Sequence, residues 1–217
     1  MTDDLFRDQE VFERIPMQDA EVYFVRTLGL PAPAESLLAS LIRETPWRAE
    51  DIVVWGKRFP QPRLIAWYGD PGQSYTYSGI DLVPLPWTAL LLQIKSRVEA
   101  VTAETFNSVL LNHYRDNRDS MGMHSDDEPE LGPRPVIASL SLGEQRTLVF
   151  KHKTSTSLRS IRLPLPSGSL LVMRGETQRN WKHGINKEDR MLGARVNLTF
   201  RQVKPAGRCS VNAKRVA

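Results

Sequence analysis

Five short β-prone runs in the second half of the chain place the tightest limit on how it can fold. They are rich in Val, Ile, Leu and Phe, and Pro and Gly interrupt the sequence between them. In order, they read PVIASLSLG, RTLVFKHK, RSIRLPLP, GSLLVMR and ARVNLTFR. Strands this short and this closely spaced are typical of a jelly roll or a small barrel.

The first half of the chain predicts two helices that pack against one sheet. The first follows PAPAES, where apolar residues recur at helical spacing: Leu37, Leu38, Leu41 and Ile42. Pro46 ends it, because proline lacks the backbone donor that another turn needs. A second apolar stripe runs through WTALLLQIKSRVEAV. We therefore expect a mainly β fold with flanking helices, an α+β domain that extends over 1–217.

Composition limits the class of protein. With 217 residues and 41% hydrophobic content, a single domain can bury a sizeable core. Cys209 is the single cysteine, which excludes an internal disulfide and a cysteine-rich zinc site. No apolar run approaches the roughly 18 residues that cross a bilayer. We expect a monomer without a membrane segment, located in the cytoplasm, or in the nucleus if the source is eukaryotic.

Both ends of the chain lack a clear structural pattern. Residues 1–30 are an N-terminal extension of uncertain order, and their acidic start, MTDDLFRDQE, does not resemble a signal peptide. Residues 203–217 form a basic tail without an acid. The tail and the net charge of +4 are compatible with a polyanionic partner, although a solvated basic surface explains them equally well.

The segment MGMHSDDEPE carries His124 and Asp126 in an acid-rich loop with little apolar support. A lone histidine beside acids is more often a surface residue than a metal ligand, so a third ligand is needed. His183, in NWKHGI, can supply it. Two histidines and one carboxylate make the facial triad of non-haem Fe(II) oxygenases. A zinc hydrolase can use the same three residues, so the triad alone leaves both chemistries open.

A polar strand face near the end of the chain favours the oxygenase. In ARVNLTFR, a period of two places four polar side chains on one face: Arg195, Asn197, Thr199 and Arg201. Asn112 and Tyr114 share a face in the same way in NHY, directly before the His-x-Asp segment. The alternative is an ordinary strand with its polar face in water. If these faces point inward, two guanidinium groups, amides and a phenol can bind a dicarboxylate such as 2-oxoglutarate.

Four motifs carry a resemblance to a known family: NHYRDNRDSMGMHSDDE, PVIASLSLG, GSLLVM and RVNLTFR. Over 54–202 the chain resembles the AlkB family of Fe(II)- and 2-oxoglutarate-dependent dioxygenases, nearest to its duplex-DNA-repairing members. The resemblance implies a double-stranded β-helix (jelly roll) core. It also implies that Fe(II) is held by His124, Asp126 and His183. The implied 2-oxoglutarate contacts are Asn112, Tyr114, Arg195, Thr199 and Arg201, with Asn197 adjacent and Arg195 on the distal carboxylate.

The resemblance also implies a nucleic-acid site. Trp55 in VVWGKRF stands where duplex-preferring relatives carry an apolar finger, and a core tryptophan is the alternative. Gly56 and Lys57 then form a turn whose amine meets phosphate. The residues implied around a flipped base are Tyr75, Tyr77, Ser78, Asp127 and Glu128. A second phosphate contact is predicted from basic residues near a strand end: Arg146, Lys151, His152 and Lys153.

The function implied is oxidative demethylation of N1-methyladenine and N3-methylcytosine in DNA, with RNA as a further candidate substrate. Fe(II), 2-oxoglutarate and O₂ take part, and formaldehyde, succinate and CO₂ are released. One alternative is an AlkB-like dioxygenase that acts on a protein or a lipid. Another is a catalytically silent nucleic-acid-binding module, which is disfavoured because every expected metal and co-substrate position holds a competent residue type.

Overall fold

The computed structural model describes residues 11–54, 57–71, 75–77, 80–82 and 84–204, with the backbone alone at 52–54, 57–58, 75–77 and 80–82. Within these ranges, antiparallel strands are the main regular structure, and the helices are few. None of the helices found there is both long enough and apolar enough to cross a membrane.

The strands follow one another closely along the chain. In chain order they are β1 (Glu13–Ile15), β2 (Glu21–Val25), β3 (Asp51–Val54), β4 (Lys57–Pro60), β5 (Leu64–Gly69), β6 (Tyr75–Tyr77), β7 (Ile80–Leu82), β8 (Ser108–Tyr114), β9 (Met121–His124), β10 (Ile137–Gly143), β11 (Arg146–His152), β12 (Ile161–Leu165), β13 (Leu170–Arg174), β14 (Trp181–Ile185) and β15 (Arg195–Arg201). The helices are α1 (Ala34–Glu44), α2 (Ala89–Thr102), the short α3 (Thr177–Asn180) and a 3₁₀ turn at Pro129–Leu131.

Two sheets face each other and enclose the inner core. The larger has the order β1-β2-β13-β10-β15-β8-β5, and the smaller has the order β12-β11-β14-β9. Ile137 and Leu171 of the larger sheet pack in one cluster with Phe150 and Ile185 of the smaller. Two hairpins, β3-β4 and β6-β7, stand apart from both sheets. This is the jelly roll that the sequence predicts, and all five β-prone runs form strands of it.

A second core lies on the other face of the larger sheet, where the two long helices cover it. Leu41 of α1 and Ile94 of α2 cluster with Val196, Leu198 and Phe200 of β15. The two faces of β15 therefore differ as the alternation predicts: its apolar residues meet the helices, and its polar residues point between the sheets. The prediction of two helices against one sheet is confirmed.

Local sequence sets the ends of both helices. α1 stops at Glu44, two residues before Pro46, as predicted. α2 begins at Ala89, because the side-chain oxygen of Thr88 accepts a hydrogen bond from the backbone N–H of Leu91 at 3.2 Å. The segment that carries the predicted apolar stripe begins at Trp87, two residues before this start.

The N-terminal segment contributes to the fold. Of the extension 1–30, the part from residue 11 onward supplies β1 and β2, and β2 pairs with β13 over five positions. Sequence patterns missed these strands because their partner in the sheet lies far along the chain. Residues 1–10 lie outside the described ranges.

The start of the predicted basic tail is fixed on the domain. Val203 is buried, and its backbone N–H and C=O both hydrogen-bond to the side chain of Asn107 at 2.7 Å. The backbone N–H of Lys204 donates to the carbonyl oxygen of Glu130, also at 2.7 Å. The rest of the tail, 205–217, lies outside the described residues.

Candidate metal centre and dicarboxylate pocket

Two strands of the smaller sheet, and the loop after one of them, bring three side chains together. His124 ends β9, Asp126 follows it, and His183 lies on β14 directly opposite His124. One ligand atom from each lies within 4.8 Å of the others. The two imidazole rings have centroids 4.4 Å apart, and Asp126 Oδ2 is 3.5 Å from His183 Nε2. Two imidazoles and a carboxylate at this spacing fit a mid-series divalent metal such as Fe(II).

Backbone packing brings the two histidine-bearing strands together. Gly184, next to His183, lies so close to β9 that an added Cβ would stand 2.8 Å from the carbonyl oxygen of Met121. Only glycine allows this approach. The loop after His124 is also fixed, since Gln178 Oε1 accepts from the backbone N–H of Asp126 at 2.9 Å. The sequence predicts a loop at His124, whereas the structure places this residue at the end of strand β9.

The electrostatics of the three residues suit metal binding. Burial alone would raise the pKa of Asp126, but the charge of Arg201 and the hydrogen bond from His183 outweigh it, and the pKa lies well below its usual range. Burial and repulsion from His183 lower the pKa of His124 to about 4. At neutral pH the site therefore offers an ionised carboxylate and an uncharged His124 imidazole, the forms that bind a metal.

The backbone carbonyl of Gly122 determines which ring nitrogen of His124 carries the proton. Its Nδ1 lies 3.0 Å from the carbonyl oxygen of Gly122, so Nδ1 carries the proton in this contact and Nε2 keeps its lone pair. On the other side, Arg201 donates through Nη2 to Asp126 Oδ1. Arg201 thereby engages one carboxylate oxygen and leaves the second directed at His183.

The polar face of β15 forms the other half of the same cavity. The cavity is lined by the three ligand residues together with Tyr114, Arg195, Asn197, Thr199 and Arg201. Arg195 is buried, and its Nη2 donates to Ser141 Oγ at 2.8 Å. Its Nε and Nη1 have no hydrogen-bond partner. No carboxylate pairs with Arg195 within the described ranges, so a buried cation with two open donors faces the cavity, and an anionic group fits there.

The other predicted co-substrate residues differ in position. Thr199 Oγ1 donates to Asn197 Oδ1 at 2.9 Å, and Asn197 Nδ2 donates to Ser139 Oγ at 2.7 Å. Asn112 shares their sheet face and lies opposite Asn197. Its Oδ1, however, accepts from Arg63 Nε at 2.8 Å, and Asn112 is not among the residues that line the cavity.

The predicted substrate residues are only partly described. Trp55, Gly56 and Ser78 lie outside the described residues, and so do the side chains of Lys57, Tyr75 and Tyr77. The backbone places Lys57 at the start of β4, and Tyr75 and Tyr77 at the ends of β6.

The two acidic residues predicted at the base pocket follow Asp126 directly. Asp127 is exposed and pairs with Lys153 at 2.8 Å. Glu128 is partly buried, next to the 3₁₀ turn. Neither residue lines the cavity that holds the metal-ligand cluster, which consists of His124, Asp126 and His183.

The prediction that Arg146 contacts phosphate is wrong. Its side chain has no exposed surface, because three backbone carbonyl groups surround the guanidinium. His152 is also engaged internally, since its Nδ1 accepts from the backbone N–H of Ser155 at 2.9 Å. Lys151 is exposed, as the prediction requires.

Several residues that hold the site in place were not predicted from the sequence. Ser139 and Ser141 of β10 support Asn197 and Arg195, and Gln178 holds the backbone of Asp126. The alternation of serine and leucine in IASLSLG contained a signal, since a period of two places both serines on one face. Gln178 gave none, because its contact with Asp126 depends on how α3 packs.

Comparisons with known proteins identify the family. The model of the 2OG-Fe(II) oxygenase superfamily matches residues 22–201. The chain is 45% identical over 180 residues to mouse alpha-ketoglutarate-dependent dioxygenase alkB homolog 3, covering 79% of this chain and 62% of that protein. It is 45% identical over 160 residues to mouse DNA oxidative demethylase ALKBH2, covering 71% of this chain and 67% of that protein.

More distant similarities agree with these. The Arabidopsis thaliana DNA oxidative demethylase ALKBH2 is 36% identical over 188 residues, with 75% of this chain and 60% of that protein covered. The solved structure of OsALKBH1 matches with a TM-score of 0.58 at 15% identity, covering 88% of this chain and 100% of that chain. This last similarity supports the fold alone. The chain belongs to the 2OG-Fe(II) oxygenase superfamily and, within it, to the AlkB family.

Proposed function

We propose that this protein is an oxidative demethylase that repairs N1-methyladenine and N3-methylcytosine in DNA. One observation carries the proposal: a His-Asp-His cluster and a buried arginine with open donors share a single cavity. Relatives at 45% identity bear the names of a DNA oxidative demethylase and of an alpha-ketoglutarate-dependent dioxygenase. The chain spans about 60% of the length of the first of these relatives, so the activity in that relative's name is a proposal for this chain.

The residues present fit both cofactors. His124, Asp126 and His183 would hold Fe(II), and Arg195 would bind the distal carboxylate of 2-oxoglutarate. When bound, Fe(II) and 2-oxoglutarate activate O₂ and supply the oxidant that hydroxylates the N-methyl group, which leaves as formaldehyde while 2-oxoglutarate becomes succinate and CO₂. The family description names these same cofactors.

The protein's own side chains hold the ligand groups in fixed directions and exclude water from the cavity. Arg201 holds Asp126 Oδ1, which fixes the direction of the second carboxylate oxygen. Ser141 orients Arg195, and Asn197 and Thr199 form a fixed hydrogen-bonded pair beside it. Apolar residues of both sheets close the cavity around these groups, which strengthens their interaction with a bound carboxylate. They are Met121, Leu148, Leu165, Leu171, Met173 and Ile185.

The substrate side of the site is proposed from the resemblance and from the charge of the protein. Trp55 would fill the gap left by the flipped base, and Lys57, beside Gly56, would meet a phosphate. The residues proposed around the base are Tyr75, Tyr77, Ser78, Asp127 and Glu128. Asn112, which lies opposite Asn197 on the same sheet face, is also proposed as a contact of 2-oxoglutarate. We further propose that the protein acts as a monomer, in the cytoplasm or in a nucleus, on DNA and also on RNA.

Mass spectrometry of a defined substrate tests the proposal. An oligonucleotide with one N1-methyladenine is incubated with the protein, Fe(II) and 2-oxoglutarate, as a single strand and after annealing. The expected result is the loss of one methylene unit that requires 2-oxoglutarate and is abolished by Asp126→Ala. No loss from either form, with 2-oxoglutarate consumption still measurable, would contradict nucleic-acid repair and favour a protein or lipid substrate.

A further inference from the structure

Arg146, at the start of β11, is a fully buried cation inside the domain. Its Nη2 donates to the carbonyl oxygens of Asn186 at 2.6 Å and Asp119 at 2.9 Å, and its Nη1 donates to that of Asp116 at 3.2 Å. These carbonyl groups belong to two different loops, one between β8 and β9 and the other between β14 and β15. One guanidinium therefore ties together the loops that precede β9 and follow β14, the strands of the metal-ligand cluster.

The same two loops are joined a second time at Glu188. Its carboxylate oxygen lies 3.4 Å from Arg146 Nε. Its backbone N–H donates to the carbonyl oxygen of Asn117 at 3.0 Å, and its own carbonyl oxygen accepts from Asn117 Nδ2 at 2.8 Å. The ion pair thus lies within a closed set of hydrogen bonds, which favours one arrangement of both loops.

Arg146 also contacts the pocket through Tyr114. Its guanidinium carbon lies 5.6 Å from the centroid of the Tyr114 ring, and that of Arg195 lies 5.0 Å from the same centroid. Arg195 is opposite Tyr114 within the larger sheet, whereas Arg146 comes from the smaller sheet. One phenol ring of the cavity wall is therefore contacted by a cation from each sheet, an attractive arrangement for both.

The charge around this ring is unbalanced. Glu188 is the carboxylate that pairs with Arg146, and it is partly exposed. Arg195 has no such partner in the ranges that the structure covers. Two buried guanidinium groups with one carboxylate leave a net positive charge beside the cavity, which favours a dianionic ligand.

We propose that Arg146 is a positioning residue of the 2-oxoglutarate pocket, which sets the place of Tyr114 and of the two loops that enclose it. The proposal rests on the function proposed above, because it requires that 2-oxoglutarate binds beside Arg195. Arg146 acts through Tyr114 and through charge, and it does not touch the co-substrate. Binding of 2-oxoglutarate and order in the two loops are consequently coupled.

The test compares Arg146→Met with Arg174→Met. Methionine keeps the length of the aliphatic stem and removes the charge. Arg174 is a suitable control because it also donates to a backbone carbonyl, that of Thr102 at 2.6 Å, and pairs with Glu104 away from the cavity. Calorimetry measures 2-oxoglutarate binding to the Mn(II)-loaded protein without oxygen.

We expect Arg146→Met to weaken 2-oxoglutarate binding about tenfold while Mn(II) affinity stays within about threefold, and Arg174→Met to change neither. Under turnover, the KM for 2-oxoglutarate should rise and kcat at saturation should be largely kept. Amide exchange adds a second readout: 2-oxoglutarate should slow exchange at 115–120 and 186–188 in the unaltered protein and not in the variant.

Arg146→Lys decides the question if the methionine variant does not fold, because lysine keeps the charge but lacks the planar fork that reaches several carbonyl groups. It should bind 2-oxoglutarate more weakly than the unaltered protein and lose the effect on loop exchange. A folded variant that binds 2-oxoglutarate as tightly as the unaltered protein would overturn the role of Arg146. Failure of the unaltered protein to bind 2-oxoglutarate would instead overturn the proposed function.

Discussion

Among single residues, Asp126 links the stability of the fold to metal binding. It is buried, ionised and paired with the buried Arg201. Asp126→Asn should lower Mn(II) affinity by more than ~100-fold. A loss of that size is the most that is typical when the altered residue only hydrogen-bonds to a metal ligand. The free energy of unfolding of the metal-free protein should fall by about 3 kcal/mol, because Arg201 keeps its charge without a carboxylate.

Calorimetry and urea unfolding measure these two effects. Glu44→Gln is the control, since Glu44 also pairs with an arginine, Arg43, but on the surface. It should change stability by less than about 1 kcal/mol and leave Mn(II) binding unchanged. If Asp126→Asn bound Mn(II) like the unaltered protein, Asp126 would not be a ligand.

Single residues also mark where sequence-based prediction succeeds and fails. The inward direction of Arg195 and Thr199 could be predicted, because β15 alternates strictly between polar and apolar residues. The burial of Arg146 could not, because three carbonyl groups from distant loops surround it, and no local pattern contains that information. Asn112 shares the predicted face, but Arg63 engages its side chain.

At the scale of elements, the spacing between β9 and β14 sets the distance between the two histidines. Gly184→Ala should push β9 away, since its Cβ would meet backbone atoms of Met121 and Gly122. We expect a loss of about 1–3 kcal/mol in the free energy of unfolding. Mn(II) affinity should fall about tenfold or more, because His124 moves with β9.

Gly122→Ala is the matched control on the facing strand. An added Cβ at Gly122 meets no atom within 4 Å. Urea unfolding and calorimetry should therefore give values close to those of the unaltered protein. Equal losses in the two variants would show that the close approach at Gly184 does not matter.

The helix-facing side of β8 carries a titratable group, His113, whose ring lies tilted against that of Trp47 with ring centroids 5.0 Å apart. Burial lowers the pKa of His113, with Asp119 opposing the shift and Arg115 adding to it. Because the unfolded chain takes up this proton near pH ~6.5, the stability is present above that pH and is lost as the pH falls below it. Lowering the pH from about 7.5 to about 5 should therefore destabilise the protein more than it destabilises His113→Gln.

Urea unfolding at both pH values gives the comparison. All other titratable groups are common to both proteins. The difference between their losses of stability therefore isolates the contribution of His113. An equal loss of stability in the unaltered protein and in His113→Gln would mean that His113 does not contribute to the pH dependence.

Elements differ in how far the sequence predicts them. The runs that form β10 to β13 and β15 carry enough Val, Ile and Leu to be recognised locally. β14 holds His183 in WKHGI, where a lysine and a glycine alternate with the other residues and weaken the apolar signal. β2 is short, and its place in the sheet depends on pairing with β13, which lies about 150 residues further along the sequence.

At the scale of the whole molecule, the site exists because two sheets meet. The metal-ligand cluster belongs to the smaller sheet, whereas Tyr114 and Arg195 belong to the larger one. The apolar core between the sheets holds both sets in one cavity. Sequence motifs could name these residues, but the distances between the sets follow from packing, which no single motif encodes.

The ratio of the products formed in one reaction shows whether this protein is an oxidative demethylase. An oligonucleotide that carries N3-methylcytosine is incubated with the protein, Fe(II), 2-oxoglutarate and O₂, and formaldehyde and succinate are both quantified. We expect equal amounts of the two that match the loss of methylated base, and neither product when Fe(II) is removed. Succinate without formaldehyde, or base repair without succinate, would contradict oxidative demethylation by this protein.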